Sequence, residues 1–344
     1  MQLTKCIFGT LPDNSTVELF TLSNNDITVK ISNYGGIITS IEMPDKEGKK
    51  ENIVCGFDKL EQYLSKEYLG SYPYFGAIIG RFGNRIAEGK LKIQDVDYEL
   101  AINNGPNHLH GGKEGFDKKL FFAETFEEEN TVGVKLTYLS KDGEENYPGN
   151  LKVTCIYSLN NENELTIQYY AETDKTTVVN LTNHTYFNLS AFRENVMNHE
   201  LELSATTMTE MVDQIPTGKL VPVVGTDFDF NTPRKLGDSG LEMGYDDNFV
   251  FDNEGELKQV GCLREETSGR KVEIYTTQPG MQLYTGYWNP ELKIDGKKKF
   301  GKFSGVALET QHFPDSVHHK KFPSTKLKPG EIYDECTVYK FITE

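Results

Sequence analysis

A glutamate within an apolar segment and a histidine among amide side chains are the residues of this chain best suited to acid–base chemistry. Glu309 lies in "SGVALETQHFPD" (304–315), and His184 lies in "VVNLTNHTYFNLS" (178–190). Burial of a carboxylate raises its pKa and makes it a stronger general base, while an imidazole can deliver a proton near neutral pH. Each residue also has a structural interpretation, Glu309 as a solvated edge-strand residue and His184 as an imidazole satisfied by its Asn and Thr neighbours.

The segment around His184 predicts a strand with two different faces. Successive side chains of an extended chain point to opposite sides. One side gathers Val178, Asn180, Thr182, His184, Tyr186 and Asn188. The other side is dominated by Val179, Leu181, Phe187 and Leu189. This pattern predicts a strand packed on a core by one face and lined on the other with groups that suit a hydroxyl-rich ligand.

Further motifs offer directional polar groups that could hold such a ligand. "NNGPNHLHGG" (103–112) places His108 and His110 two residues apart before a Gly-Gly turn, which lets backbone approach a ligand closely. The remaining candidates are Asn84 and Arg85 in "GRFGNRIAEG", Asp246 and Asp247 in "GYDDNF", and Gln278 in "TTQPGMQLYTG". Taken singly, these could equally form an ion pair, cap a turn or end a strand.

Metal and cofactor chemistry find little support in the sequence. His108, His110 and His184 could together offer three imidazoles to zinc. The chain shows no spaced set of Cys, His and Asp ligands beyond these histidines, and it contains no dinucleotide, phosphate-loop, serine-hydrolase or zincin motif. We therefore expect no metal and no cofactor.

Charge and cysteine content limit the classes of binding partner and indicate a cellular compartment. The 344 residues carry a formal net charge of −16, which leaves no broad basic surface for nucleic acid or an anionic membrane. The start of the sequence lacks a signal-like apolar stretch, and five dispersed cysteines favour reduced thiols in the cytoplasm. Asn180, Asn183 and Asn188 match the glycosylation acceptor pattern, and secretion would place glycans over the suspected pocket. No obligate protein partner is evident.

Strand patterns outnumber helical ones along the chain. Alternation and β-branched or aromatic residues predict strands at 132–140, 150–159, 164–172 and 270–277. The one plausible short helix is "DKLEQYLSKE" (58–67), and no long helix separates the strands, which argues against βαβ units. No linker or repeat divides the sequence. We therefore predict an all-β fold, a large and predominantly antiparallel β-sandwich, as a single domain spanning 1–344.

Taken together, several blocks resemble the aldose 1-epimerase (galactose mutarotase) family. They are "NRIAEG", "NHLHGG", "NLTNHTYFNL", "YDDNF", "TTQPGMQLYTG", "LETQHFPD" and "FPSTKLKPGE", in the family's order from residue 84 to residue 331. The resemblance implies a β-sandwich with a sugar cleft on one sheet. By matching motif it implies Glu309 as catalytic base and His184 as catalytic acid. It implies that the substrate-binding residues are Asn84, Arg85, His110, Asp246 and Gln278, with Tyr186 as an added contact.

The resemblance implies a redox-neutral exchange of α and β anomers of free aldohexoses, galactose and glucose, by ring opening and reclosure. Three alternatives stay open from the sequence. A carboxylate pair such as Glu309 and Asp246 could hydrolyse a glycosidic bond. A hexose-phosphate epimerase would need more cations than Arg81 and Arg85 obviously supply, and a non-catalytic sugar-binding protein could use the same fold.

Overall fold

The computed structural model describes residues 1–294 and 297–344 and consists mainly of antiparallel sheets. The largest sheet has nine strands whose neighbours all run antiparallel. In spatial order they are Phe122–Glu128, Thr131–Ser140, Leu151–Asn160, Glu164–Thr173, Tyr333–Thr343, Arg270–Thr276, Lys258–Glu265, Glu200–Leu203 and Arg234–Lys235. The final strand of the chain therefore lies in the middle of this sheet.

Two further sheets complete the large layers. The six-stranded sheet has the order Tyr186–Phe187, Val306–Gln311, Gly280–Tyr284, Asp246–Val250, Thr207–Val212 and Ile215–Pro222. The five-stranded sheet has the order Gln2–Thr10, Thr16–Ser23, Thr28–Ser32, Ile38–Pro44 and Lys50–Asn52. The motifs that contain His184, Asp246, Gln278 and Glu309 all meet at or beside the six-stranded sheet.

Short elements connect these sheets within the described chain. Two-stranded pairs join Ile78–Ile79 to Thr182–Asn183, Arg85–Ile86 to His108–Leu109, Lys90–Ile93 to Val96–Glu99, Thr177–Val178 to Lys326–Leu327, and Leu292–Ile294 to Lys297–Lys299. The α-helices are Leu60–Tyr63 and Lys66–Ser71. The 3₁₀ helices are Ala87–Gly89, Phe116–Lys118, Glu144–Asn146, Val196–Asn198, Leu236–Ser239 and Ser316–His318. Among the described residues, no helix has the length and apolar character needed to cross a membrane.

One continuous apolar core joins the three large sheets. It contains Ile41 from the five-stranded sheet, Tyr157 and Ile274 from the nine-stranded sheet, and Leu283 and Leu308 from the six-stranded sheet. Strand Leu151–Asn160 alternates buried and more exposed side chains, as expected for a strand with one face on a core. Strand Val306–Gln311 is buried on both faces, so its polar side cannot be a solvated surface.

The predicted all-β, predominantly antiparallel fold is confirmed. The strands expected at 132–140, 150–159, 164–172 and 270–277 occur as Thr131–Ser140, Leu151–Asn160, Glu164–Thr173 and Arg270–Thr276. The helix expected over 58–67 is wrong in its extent, because Ser65 starts a new helix. Its Oγ accepts a hydrogen bond from the Tyr68 backbone N–H at 3.2 Å, so the chain breaks between two short helices.

The segment 178–190 is not the single strand that its alternation predicts. Pairs of residues from it join three different partners: Thr177–Val178 pairs with Lys326–Leu327, Thr182–Asn183 with Ile78–Ile79, and Tyr186–Phe187 with Val306–Ala307. Its polar residues are buried, and their side-chain amides can be buried because they form hydrogen bonds with backbone groups. Asn180 Nδ2, for example, donates to the carbonyl of His312 at 3.1 Å. The segment is therefore a buried connector among sheets.

Candidate active site

A cleft of about 310 Å³ opens beside the polar face of the six-stranded sheet, at the lower end of the ~300–1,000 Å³ usual for small-molecule sites. Directly paired residues of neighbouring strands project to the same face, and the register pairs Gln282 with Glu309 and Tyr284 with Asp246. The cleft lining includes Asn84, Arg85, His110, His184, Tyr186, Asp246 and Glu309. Seven of the predicted site residues thus converge from five separate motifs.

His184 and Glu309 form a buried pair at this cleft. The Nε2 atom of His184 lies 3.4 Å from Oε1 of Glu309, and both side chains are at least 95% buried. Glu309 is fixed within a strand, whereas His184 is held by its backbone. Its N–H donates to the Ala77 carbonyl at 2.9 Å, and its carbonyl accepts the Gly76 N–H at 3.0 Å. The two groups can exchange a proton with one bound molecule lying over them.

Burial acts in opposite directions on the two members of this pair. It raises the pKa of Glu309 well above its ordinary value, helped by the charge of Asp246 and opposed by Arg85. It lowers the pKa of His184 to about 3. Both shifts favour the uncharged forms, so the one proton that the pair shares is favoured on the Glu309 carboxyl group and the His184 imidazole is neutral. A carboxylate with an imidazolium has the same proton count, so a shift across 3.4 Å converts one form into the other.

Asn84 and His110 are held together by two hydrogen bonds, one accepted by the His110 ring and one between the two backbones. The Asn84 N–H donates to Nδ1 of His110, and the His110 N–H donates to the Asn84 carbonyl, both at 3.1 Å. Both residues adopt left-handed backbone conformations, with φ of 65° and 51°, which for non-glycine residues is uncommon and concentrates at functional sites. Because Nδ1 accepts a hydrogen bond, the neutral ring carries its proton on Nε2. His110 is therefore a donor suited to a ligand hydroxyl.

Arg85 and Asp246 add opposite charges to the lining. Within the described chain, the Arg85 side chain makes one hydrogen bond, from Nε to Oδ1 of Asn104 at 3.0 Å, which leaves its terminal nitrogens for the cleft. Asp246 Oδ1 accepts a hydrogen bond from Gln282 Nε2 at 2.6 Å. Oε1 of Gln282 is buried and has no partner among the described residues. Arg85 and Asp246 thus offer a donor and an acceptor to ring hydroxyls, and Gln282, which is not part of the cleft lining, orients the Asp246 carboxylate.

Gln278 lies outside this arrangement, and its sequence assignment to the cleft is corrected. Its Nε2 donates to the Leu181 carbonyl at 3.3 Å and to Tyr333 Oη at 3.1 Å, while its Oε1 contacts Nδ1 of His312 at 2.9 Å. The glutamine that faces Asp246 and pairs with Glu309 is Gln282, in the same motif. The alternation of side chains along a strand does not distinguish Gln278 from Gln282, because residues four apart lie on the same face of an extended chain.

His108, the first member of the three-histidine zinc set, also lies away from the cleft. Its Nε2 contacts Tyr147 Oη at 2.7 Å and its Nδ1 contacts the Ala101 carbonyl at 2.8 Å. His110, His184 and Glu309 do lie close enough to share an ion, with candidate ligand atoms within 4.8 Å of one another. The donor chemistry does not fit, because the His110 proton on Nε2 leaves that ring no free lone pair. The cluster is better suited to proton transfer than to coordination.

The Gly-Gly turn after His110 serves the backbone rather than a ligand. Gly111 has a φ of 83°, and a Cβ at this position would lie 1.8 Å from the Gly80 carbonyl oxygen. Only glycine allows this contact. The turn therefore packs the His110 segment closely against Gly80, which follows strand Ile78–Ile79. Asp247, which neighbours Asp246, points away from the cleft lining and accepts the Asp246 N–H at 3.1 Å.

Comparison with known proteins gives one consistent result. The aldose 1-epimerase family model matches residues 18–340. The chain is 43% identical to galactose mutarotase of Bos taurus, with 99% of each protein covered, and 42% identical to that of Homo sapiens, with 98% covered. It is 33% identical to aldose 1-epimerase of Escherichia coli (strain K12), with 97% of each covered.

Solved structures agree with the sequence relatives. A galactose 1-epimerase from Lactobacillus acidophilus NCFM superposes with a TM-score of 0.85 at 26% identity, covering 99% of each chain. An aldose epimerase homologue from C. elegans gives a TM-score of 0.86 at 27% identity, covering 94% of this chain and 98% of the other. The chain belongs to the aldose 1-epimerase family. It is an isomerase of carbohydrate metabolism that interconverts the α and β anomers of aldoses.

Proposed function

We propose that this mutarotase acts on galactose and glucose, with Glu309 as general base and His184 as general acid. The observation that carries the proposal is the His184 Nε2 to Glu309 Oε1 distance of 3.4 Å at the floor of a sugar-sized cleft. The relatives called galactose mutarotase support galactose as one substrate. Glucose differs from it only in the configuration of one hydroxyl, so the same acid–base pair can serve both.

In the proposed reaction, Glu309 removes the proton of the C1 hydroxyl while His184 donates a proton to the ring oxygen. The O1–H and C1–O5 bonds break, the C1–O1 bond becomes a carbonyl, and the ring opens to the aldehyde. After rotation about C1–C2, the carbonyl presents its other face and the two transfers reverse. Each proton taken is balanced by one returned, so the reaction consumes neither oxidant nor cofactor. A pair that holds one proton in total has the required starting stoichiometry.

The remaining cleft residues would align the ring for both transfers. His110 donates from Nε2, Arg85 donates from its terminal nitrogens, and Asp246 accepts, so ring hydroxyls find partners of both kinds. Gln282 would hold the Asp246 carboxylate in its orientation through Nε2. Asn84 would act mainly by fixing His110, and Tyr186 would supply an apolar wall and a hydroxyl.

The charge of the cleft argues against a phosphorylated sugar. Arg85 is the single Lys or Arg in the described lining, and it faces two carboxylates, Asp246 and Glu309. Arg81, the second cation considered from sequence, is buried elsewhere and donates to the Ser140, Lys141 and Gly149 carbonyls at 2.9 Å each. The charges of Arg85 and Asp246 cancel and the His184–Glu309 pair is neutral in either of its forms, so a phosphate dianion would meet no net positive charge.

The proposal is tested by polarimetry of freshly dissolved α-D-galactose and α-D-glucose at matched protein concentration. We expect optical rotation to decay toward equilibrium much faster than in buffer for both sugars. Release of free sugar from an aryl glycoside would instead indicate hydrolysis. Decay at the buffer rate, combined with saturable quenching of the fluorescence of Trp288, the chain's one tryptophan and part of the cleft lining, would indicate a binding protein without turnover.

The pH dependence provides a prediction whose sign follows from the site. The Asp246 carboxylate raises the pKa of Glu309, so Asp246→Asn lowers that pKa. Because the pair loses its one proton when pH rises through the pKa of Glu309, the alkaline limb of log kcat/KM should move to lower pH in this variant. The limb is measured from pH profiles of both proteins with galactose. Asp247→Asn, next in sequence but outside the lining, is the control. An unmoved or upward limb in Asp246→Asn would contradict the assignment.

Two glutamines of one motif allow a matched comparison. Gln282→Leu removes the 2.6 Å hydrogen bond that orients the sugar-binding Asp246, so we expect KM to rise roughly tenfold. Gln278→Leu instead breaks contacts with Leu181 and Tyr333 and should lower the melting temperature with little change in KM. Steady-state kinetics and thermal unfolding of both variants show which glutamine supports sugar binding and which supports stability. The reverse pattern would return the substrate contact to Gln278.

We also propose that residues 1–344 form one domain in the cytoplasm. The shared core extends from Phe20 to Phe341, which supports a single folding unit. All five cysteines are free, and the three candidate glycosylation asparagines, Asn180, Asn183 and Asn188, are buried, so glycans could not be attached to the folded chain. Both observations support a reducing compartment.

A further inference from the structure

The orientation of the His184 ring lacks the usual support. Its Nε2 faces Glu309, while Nδ1 is buried and has no hydrogen-bond partner among the described residues. Catalytic and metal-binding histidines are normally oriented by a hydrogen bond at the second ring nitrogen. An imidazole free to rotate about its χ angles would lose alignment with the ring oxygen of a sugar, so another contact must define its plane.

Two tyrosine rings supply that contact. The Tyr186 ring stacks on His184 with centroids 4.8 Å apart and planes 26° apart, and the Tyr74 ring stacks at 5.8 Å and 18°. Tyr74 also meets His110 edge-on at 4.7 Å. We refer to Tyr74 and Tyr186 as the stacking pair. Near-parallel rings at these distances restrict rotation of an imidazole, and their electron-rich faces favour its cationic form.

The backbone holds Tyr74 in this position at a conformational cost. Tyr74 has a φ of 59°, which is unfavourable for a bulky side chain and marks a functional constraint. Its carbonyl accepts the Ala77 N–H at 3.1 Å. Gly76 then bonds to the His184 segment twice, through its N–H to the His184 carbonyl and through its carbonyl to Asn183 Nδ2, each at 3.0 Å. The turn that carries Tyr74 is thus tied directly to the residue that Tyr74 covers.

We propose that Tyr74 and Tyr186 are positioning residues that fix the plane of the His184 imidazole and stabilise its cationic form during anomer exchange. This role rests on the proposed function of His184 as acid. The charged or titratable groups that face the ring are Glu309 and, beyond it, Asp246, which favour the cation, and His110 and Arg85, which oppose it. The stacking pair adds a favourable contact that carries no charge of its own.

The proposed role of Tyr74 depends on the face of its ring and not on its hydroxyl. Two variants of Tyr74 should therefore behave differently. Tyr74→Leu removes the face, and we expect kcat to fall about tenfold with KM nearly unchanged, because the loss concerns the proton transfer and not sugar binding. Tyr74→Phe keeps the face and should retain kcat within about twofold. Ring-current shifts of the His184 carbon-bound protons, read by NMR, report the stacking itself and should decrease in Tyr74→Leu but not in Tyr74→Phe, while the contribution of Tyr186 remains in both.

The outcomes separate this proposal from the proposed function. Wild-type kcat in folded Tyr74→Leu, or an equal loss in Tyr74→Phe, would overturn the positioning role while leaving the acid–base assignment intact. A wild-type protein that turns over no aldose would reject the proposed function and, with it, the role of the stacking pair. If Tyr74→Leu does not fold, Tyr74→Met, which also lacks the ring face but fills more of its volume, gives the same comparison with Tyr74→Phe.

Discussion

Glu309→Gln is expected to lower kcat for galactose by about 10²- to 10⁴-fold, the usual contribution of a general base. The amide has nearly the same shape and keeps the strand pairing with Gln282, so the loss would arise from chemistry rather than from folding. Unlike the carboxylate, the amide cannot take the proton of the C1 hydroxyl. The measurement is polarimetry of α-D-galactose with the variant and wild type at matched concentration, with thermal unfolding to confirm that both are folded.

The control for this variant is a partly buried glutamate outside the cleft. Glu335 has a pKa raised to about 7 by burial and accepts a hydrogen bond from Thr277 Oγ1 at 2.5 Å, but it lies outside the cleft. Glu335→Gln should therefore leave turnover unchanged. His184→Asn should lose activity to a similar degree as Glu309→Gln, and the double variant should lose little more, because the pair works as one unit. Wild-type turnover by folded Glu309→Gln would refute the assignment of the base.

The large sheets were predictable because their strands depend on local pattern. Leu151–Asn160 and Glu164–Thr173 alternate apolar and polar residues and are joined by a short turn, so period and turn residues define them. Segment 178–190 has the same alternation but is buried on all sides. Its hydrogen bonds go to three distant partners, and no local rule reveals partners that lie far away in sequence.

The site was predictable in its residue types more than in its geometry. The motifs located His184, Glu309, Arg85 and Asp246, and the structure brings these four together. The motif "TTQPGMQLYTG" predicted Gln278, whereas the glutamine that pairs with Glu309 is Gln282, and that register is a tertiary property that the motif does not reveal.

Arg81→Met is expected to lower the free energy of unfolding by about 3–5 kcal/mol, as is usual when one partner of a buried charged network is removed. Arg81 is 2% exposed. Its nitrogens donate to the Ser140, Lys141 and Gly149 carbonyls at 2.9 Å, to the Pro148 carbonyl at 3.0 Å and to Ser140 Oγ at 2.9 Å. Methionine keeps the apolar stem but leaves these buried acceptors without a donor. Urea unfolding of the variant and wild type gives the difference.

Comparison with a surface arginine and with lysine tests the physical reason for this loss. Arg193 pairs with Glu51 at 2.5 Å, but its side chain is 48% exposed, so Arg193→Met should change stability by less than ~1 kcal/mol. Arg81→Lys keeps the charge without the planar fork and should recover only part of the stability. Because Arg81 serves the loop 140–149 and not the cleft, the folded fraction of Arg81→Lys should retain wild-type KM for galactose. A raised KM together with unchanged stability would instead place Arg81 in the sugar site and reopen the case for an anionic substrate.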